Sequence, residues 1–241
     1  MRCKRRGCSS ITSSRWAPCP RSTPLSDAKA RMIARAAQEI APGMVVNLGI
    51  GLPTKVIDHM PVDFEVCLHT ENGMAGIGKT LPPDQADRNL IDAGGAYVST
   101  VPGSAFFDSV TSFAMVRAGR LDLTMLGAFE VAANGDLANW KIPGKFSPGV
   151  GGRIELAQKA RRVVVLTTHT DRAGNPKLKQ TCALPLTARA CVARVFTDMA
   201  VIEVGPRGFA LIEVAQGVTP AEVAEATGAP LHLPDAPVPT F

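Results

Sequence analysis

The chain has 241 residues, 46% of them hydrophobic and 5% aromatic, which suits one large α/β domain with a substantial core. Its net charge of +5 is unevenly placed: residues 1–26 carry Arg2, Lys4, Arg5, Arg6, Arg15 and Arg21 and no acid, and removing these six from 26 basic residues leaves 20 against 21 acids, a net −1 from Asp27 onward. With no helix-turn-helix, zinc-finger or RNA-binding signature this argues against nucleic acid, and no apolar run reaches the roughly 18 residues that span a membrane.

Residues 1–26 also hold Ser9, Ser10, Ser13 and Ser14, too little apolar surface to fold, so they read as a disordered basic leader. Its Arg- and Ser-rich, acid-poor composition is shared with transit peptides, but a dispensable leader and a cytoplasmic protein are the expectation. From Asp27 to Ile40 the apolar positions Met32, Ile33, Ala36, Ala37 and Ile40 define one helical face, capped by Ser26 or Asp27. Met44 to Gly51 reads as a buried strand entering a glycine turn, and Thr54 to Met60 as a short helix. Further strands are expected at 64–69, 97–101, 121–127, 161–168, 199–204 and 208–215, and helices near 109–118, 153–160 and 219–227. Strands alternating with helices predict an open, mainly parallel α/β sheet flanked by helices, forming one domain over 27–230. Between Glu130 and Gly152 lies a long stretch of low periodicity, the kind of loop that is usually functional. Residues 231–241, with Pro234, Pro237 and Pro239, read as an extended, mobile tail.

Two stretches invite chemistry. Asn47-Leu48-Gly49-Ile50-Gly51-Leu52-Pro53-Thr54 follows a strand and precedes a helix, yet the third glycine of a dinucleotide fingerprint would fall at Thr54, and the Gly-Lys-Ser/Thr of a P-loop is absent. Glu71 ends the strand at 64–69 and opens the glycine-rich loop Glu71-Asn72-Gly73-Met74-Ala75-Gly76-Ile77-Gly78. A carboxylate there can act as a nucleophile, or be no more than a solvated acid beside an Asn-Gly turn. The six cysteines form no Cys-x-x-Cys pair and no Cys/His cluster, so no metal is expected. His69 and His169 lack a spaced partner and read as structural.

Residues 47–217 carry a series of further motifs in order: Leu90-Ile91-Asp92-Ala93-Gly94, Pro102-Gly103-Ser104-Ala105-Phe106-Phe107, Leu123-Thr124-Met125-Leu126-Gly127-Ala128, Gly135-Asp136-Leu137-Ala138-Asn139-Trp140-Lys141-Ile142-Pro143-Gly144-Lys145, Gly149-Val150-Gly151-Gly152 and Leu184-Pro185-Leu186-Thr187. With the Asn47 and Glu71-Asn72-Gly73 stretches, they closely resemble the β subunit of the two-subunit 3-oxoacid CoA-transferases, which include succinyl- and 3-oxoadipate-using members. The resemblance implies that Glu71 is the covalent nucleophile, that the Gly152 backbone amide stabilises the oxyanion, and that Asn47, Gly49, Gly51, Asn72, Gly73, Gly127, Ala128 and Gly151 shape the CoA and substrate pocket. It further implies an open sheet of the CoA-transferase type, a CoA-transferase α subunit as partner in a heterodimer or heterotetramer, acyl-CoA and carboxylate substrates, and coenzyme A as substrate with no other cofactor. Phe106, Phe107, Phe113 and Trp140 read as core or interface residues.

The chain departs from the family pattern in several places. Thr70 stands where a serine is usual, Gly95 where a lysine is common, Phe129-Glu130 for Met-Gln, and Arg153-Ile154-Glu155 for Ala-Met-Asp. These changes spare the nucleophile and bear on substrate identity. The rival readings are an acyl-CoA hydrolase, a ligand-sensing protein on a related fold with Glu71 only a turn acid, and an inactive assembly protein that pairs with the α subunit.

Overall fold

The computed structural model describes residues 27–61, 64–147 and 149–241, so the basic leader and the Ser26 cap lie outside the described residues. In chain order it contains α1 (Asp27–Ala37), β1 (Val45–Leu48), a 3-10 helix (Pro53–His59), β2 (Cys67–Thr70), β3 (Met74–Thr80), β4 (Val98–Phe106) and α2 (Ser109–Arg117). There follow β5 (Leu123–Leu126), β6 (Glu130–Ala132), β7 (Leu137–Ala138), α3 (Arg153–Lys159), β8 (Val163–Leu166) and β9 (Leu178–Lys179). The chain closes with β10 (Val192–Phe196), β11 (Ala200–Gly205), β12 (Gly208–Val214), α4 (Pro220–Ala226) and β13 (Leu231–His232).

Ten strands form one open sheet in the order β13-β12-β11-β10-β8-β5-β1-β2-β3-β4. The central five, β10 to β2, run parallel, while β11 and β12 on one flank and β3 and β4 on the other are antiparallel. Parallel strands covered on both faces must be apolar throughout, and Val163-Val164-Val165-Leu166 meets that demand. Val163 and Val165 face one core cluster, with Leu137, Leu178 and Phe209; Val164 and Leu166 face the other, with Met32, Ile33, Val46 and Leu123. Helix α1 lays its Met32, Ile33 and Ala36 stripe on the second cluster. The nearly buried Glu39 just beyond it pairs with Arg35 (3.3 Å), Arg162 (2.8 Å) and Arg194 (2.9 Å).

The topology places the site. From β1 the chain moves to one side to form β2, and the next parallel strand, β5, lies on the other side of β1. Connections that diverge in this way leave a crevice at the carboxyl ends of the strands.

The sheet is more mixed than a reading of mainly parallel strands implies, and the differences have local causes. The stretch after Glu71 is not loop throughout: beyond the turn at 71–73 it returns as β3, with His69 opposite Ala75 and Thr70 opposite Met74. Glycine content masked a strand stabilised by its pairing with β4. The long 130–152 region contains β6 and β7, which join β9 in a separate three-stranded sheet; strands two or three residues long leave no periodicity to read. The segment from 54 to 60 forms a 3-10 helix rather than an α-helix. Strand β10 escaped detection because Ala193 and Arg194 interrupt its apolar run. The tail is extended but tied down: Val214 N–H donates to the Pro239 carbonyl at 2.9 Å, and Phe241 N–H to the Val214 carbonyl at 3.0 Å.

Candidate active site

Glu71 stands just past the carboxyl end of β2, in a turn fastened from three directions. Gly73 N–H donates to the Thr70 carbonyl at 3.1 Å, the Thr70 hydroxyl accepts from Ala93 N–H at 2.9 Å and donates to the Asn72 side chain, and Asn72 Nδ2 donates to the Ile91 carbonyl at 2.9 Å. Beneath the turn His69 bonds Ser112 through Nε2 at 2.9 Å and stacks on Phe107. Burial pushes the His69 pKa down to about 4, so the ring is neutral around pH 7 and acts as a spacer between β2 and α2.

Gly73 has φ +120°, and a Cβ built on it would lie 1.9 Å from the Phe107 carbonyl oxygen, whose own amide donates to the Gly73 carbonyl at 2.9 Å. Gly73→Ala therefore combines left-handed strain with a backbone clash. We expect a loss of about 2–4 kcal/mol, read as a lower urea midpoint. A midpoint within experimental error of the parent would contradict this account of the turn.

The Glu71 carboxylate borders two clefts, of about 620 and 520 Å³. The larger lies at the diverging ends of β1, β5 and β8. Asn47, Gly49, Gly127, Ala128, Gly151 and Gly152 all line it, and among its lining residues Glu71 is the sole acid. The closest packing is with Gly152: a Cβ there would sit 2.7 Å from Glu71 Oε2 and 2.7–2.8 Å from the Phe113 ring. Burial raises the Glu71 pKa, while the Arg153 charge and the Gly152 amide hold it down.

Asn47 ties three strands together as well as lining the cleft: its Nδ2 donates to the His69 carbonyl and its Oδ1 accepts from the Thr124 hydroxyl, each at 3.2 Å. Three sequence-indicated residues stand elsewhere. Gly51 is exposed, at a turn with φ +102°, Gly73 faces Phe107 inside the Glu71 turn, and Asn72 borders only the shallower second cleft, its side chain committed to the turn. Phe113, packed against the core, also borders the second cleft.

Sequence reasoning did not single out Lys29, Asn139, Thr167, Thr168 or Lys177 as site residues, although all border the larger cleft. Asn139 carried a signal within its motif: Nδ2 donates to the Gly127 carbonyl at 2.9 Å, which fixes the cleft wall. His169 lies outside the cleft, held by Thr197 at 3.0 Å and Thr227 at 2.9 Å with its pKa pushed down to about 4 by burial, a structural histidine. Among the described residues no cluster of three or more His, Cys, Asp or Glu could hold a metal ion, and no helix is long and apolar enough to cross a membrane.

The sequence matches the family model for coenzyme A transferase over residues 29–226. It is 48% identical over 199 residues, 83% of this chain and 92% of the relative, to the β subunit of a probable coenzyme A transferase of Bacillus subtilis. To the B-type subunit of the 3-oxoadipate CoA-transferase of Acinetobacter baylyi it is 44% identical over 82% of this chain and 91% of the relative. The B-type subunit of the succinyl-CoA:3-ketoacid coenzyme A transferase of Helicobacter pylori is 43% identical, covering 84% and 97%. Among solved structures, the acyl-CoA transferase apoenzyme of Escherichia coli O157:H7 superposes with a TM-score of 0.69 at 22% identity, over 91% of this chain and 44% of that one, a likeness of fold. The decarboxylase AibA/AibB shares the fold at a TM-score of 0.65 and 22% identity, over 90% of this chain and 89% of that one.

Proposed function

The chain belongs to the coenzyme A transferase family, and on that premise we propose that it is the B-type subunit of a two-subunit enzyme moving CoA from an acyl-CoA, succinyl-CoA or a similar thioester, to a short 3-oxoacid through a glutamyl-CoA intermediate on Glu71. The names of the relatives support a partner α subunit and this substrate class. The observation that carries the reading is the position of Glu71: the one acid of the larger cleft, half-buried at a strand end, with an oxygen packed against a residue that has no side chain.

The chemistry follows from that position. The Glu71 carboxylate attacks the thioester carbonyl; a C–O bond forms, the C–S bond breaks, and CoA leaves as thiolate. The thiolate then attacks the glutamyl carbonyl of the mixed anhydride, making a new C–S bond and releasing the acyl group as its carboxylate. The acceptor acid runs the same two steps in reverse and restores Glu71. Each attack passes through a tetrahedral oxyanion, and the Gly152 amide beside the carboxylate supplies a hydrogen-bond donor fixed in advance. Half-burial favours the attack by removing water from the nucleophile.

Intact-mass measurement of the complex with its α subunit, after incubation with acetoacetyl-CoA and no acceptor, tests the reading. The expected result is a CoA-sized adduct on this chain that disappears when succinate is added. An assembled, CoA-binding complex with no adduct overturns it. CoA released free rather than on succinate would instead mark a hydrolase.

The pH dependence is a further expectation. Only ionised Glu71 attacks, so kcat/KM falls on the acid side with an apparent pKa above that of ordinary glutamate. Arg153→Gln removes the charge that holds this pKa down, so the acid limb should move to higher pH in profiles from about pH 5 to about pH 8. An unmoved limb would mean that Arg153 does not act on Glu71 in the working complex.

A further inference from the structure

The larger cleft holds a second charged feature that the covalent chemistry does not use. The Lys177 ammonium donates to the Thr168 hydroxyl at 2.7 Å and the Thr167 hydroxyl at 3.1 Å, just beyond the carboxyl end of β8. Those hydroxyls give their own protons away, Thr167 to the Ala128 carbonyl at 3.0 Å and Thr168 to the Thr170 carbonyl at 2.7 Å, so their lone pairs are set to receive the amine. An ammonium has three N–H donors, and the third remains.

It has no direct ion pair: among the described residues no carboxylate lies within 4.0 Å of the amine. Asp198 and Asp171 raise its pKa from farther off, their oxygens accepting from the His169 amide and from the amides of Ala173 and Asn175. Burial pushes the pKa down, and Lys29, a second cation bordering the cleft, pushes the same way. A half-buried, unpaired ammonium is costly, and a bound anion relieves that cost.

Scale identifies the anion. In the order β8-β5-β1-β2, three strand spacings, roughly 14 Å, separate the end of β8, where the Lys177 amine is held, from the end of β2, where Glu71 stands. The Glu71 side chain, which borders the same cleft, spans part of that gap and leaves room for an acyl chain of a few carbons. The extended pantetheine arm holds the CoA phosphates farther from the thioester than such a chain reaches.

We propose that Lys177, seconded by Lys29, binds the free carboxylate at the far end of a dicarboxylic acyl group whose other end reacts at Glu71. This rests on the transferase reading and names the substrate class of its site. The preference for a diacid comes from the ammonium, and Thr167 and Thr168 aim it.

The test compares succinate with acetate as acceptors for the same donor, using the complex carrying Lys177→Gln or, should that variant fold poorly, Lys29→Gln. The ratio of kcat/KM for succinate to that for acetate should fall about tenfold or more in Lys177→Gln and by less, in the same direction, in Lys29→Gln. Equal losses on both acids overturn the proposal. So does weaker CoA binding with an unchanged ratio, which would give the ammonium to a CoA phosphate. Calorimetric titration of the complex with succinate and with acetate reads the subsite without turnover. If no Glu71 adduct forms, the transferase reading fails separately, while tighter succinate binding that is lost in Lys177→Gln still supports the subsite.

Discussion

Glu71→Ala and Glu71→Gln should each lower kcat for CoA transfer by about 10⁴-fold or more and abolish the CoA adduct, while assembly with the partner and CoA affinity are kept. The size of the effect follows from the composition of the cleft. No other acid lines the larger cleft, and none of its lining residues is a cysteine, serine or histidine that could take over as nucleophile. Glutamine preserves shape and hydrogen bonding but offers a neutral amide, so it separates the role of the charge from that of the side chain's bulk. Glu71→Asp keeps the charge and withdraws it by one methylene from the position beside Gly152, and misplacement on that scale costs roughly 10²-fold. Steady-state turnover of the three variants in complex, with the mass of the chain read in parallel, checks this. Turnover within tenfold of the parent in Glu71→Gln would remove Glu71 as the nucleophile and favour a binding role.

The position of Glu71 was legible in the sequence because a short strand ends there and an Asn-Gly turn follows, a local signal that survives folding. The parallel centre of the sheet was legible for a similar reason: strands such as Val163-Val164-Val165-Leu166 are apolar on both faces. Long-range pairing was not. Met74 to Thr80 holds two glycines and reads as loop until β4 is laid beside it, and β6, β7 and β9 are stable only as a set. The same limit explains the site. Asn72 and Gly73 sit in the right motif, but the segment at Ile91–Ala93 and Phe107, distant in sequence, turn them into fasteners of the turn. Lys177 lies among polar residues with no pattern, and only the fold brings its amine to Thr167 and Thr168 at the mouth of the cleft.

Gly152→Ala should cost about 10²–10³-fold in kcat with little change in the stability of the folded chain. The backbone at Gly152, φ −76° and ψ 0°, is open to any residue, so the glycine is required by space rather than by conformation. An added methyl meets Glu71 Oε2 on one side and the Phe113 ring on the other, at 2.7–2.8 Å, well inside contact distance. Either the nucleophile swings away or the loop carrying the amide retreats, and both outcomes separate the donor from the oxyanion it must meet. Because that oxyanion exists only in the transition state, the loss belongs in kcat rather than in substrate affinity. Phe113→Leu vacates ring space and lets the loop yield, so the double variant should recover part of the lost rate, a non-additivity expected only of groups in contact. Kinetics on the two single variants and the double variant decide the matter. A Gly152→Ala enzyme of parental kcat would show that the Gly152 amide is not the oxyanion donor, and strictly additive losses that the Phe113 ring does not hold the loop in place.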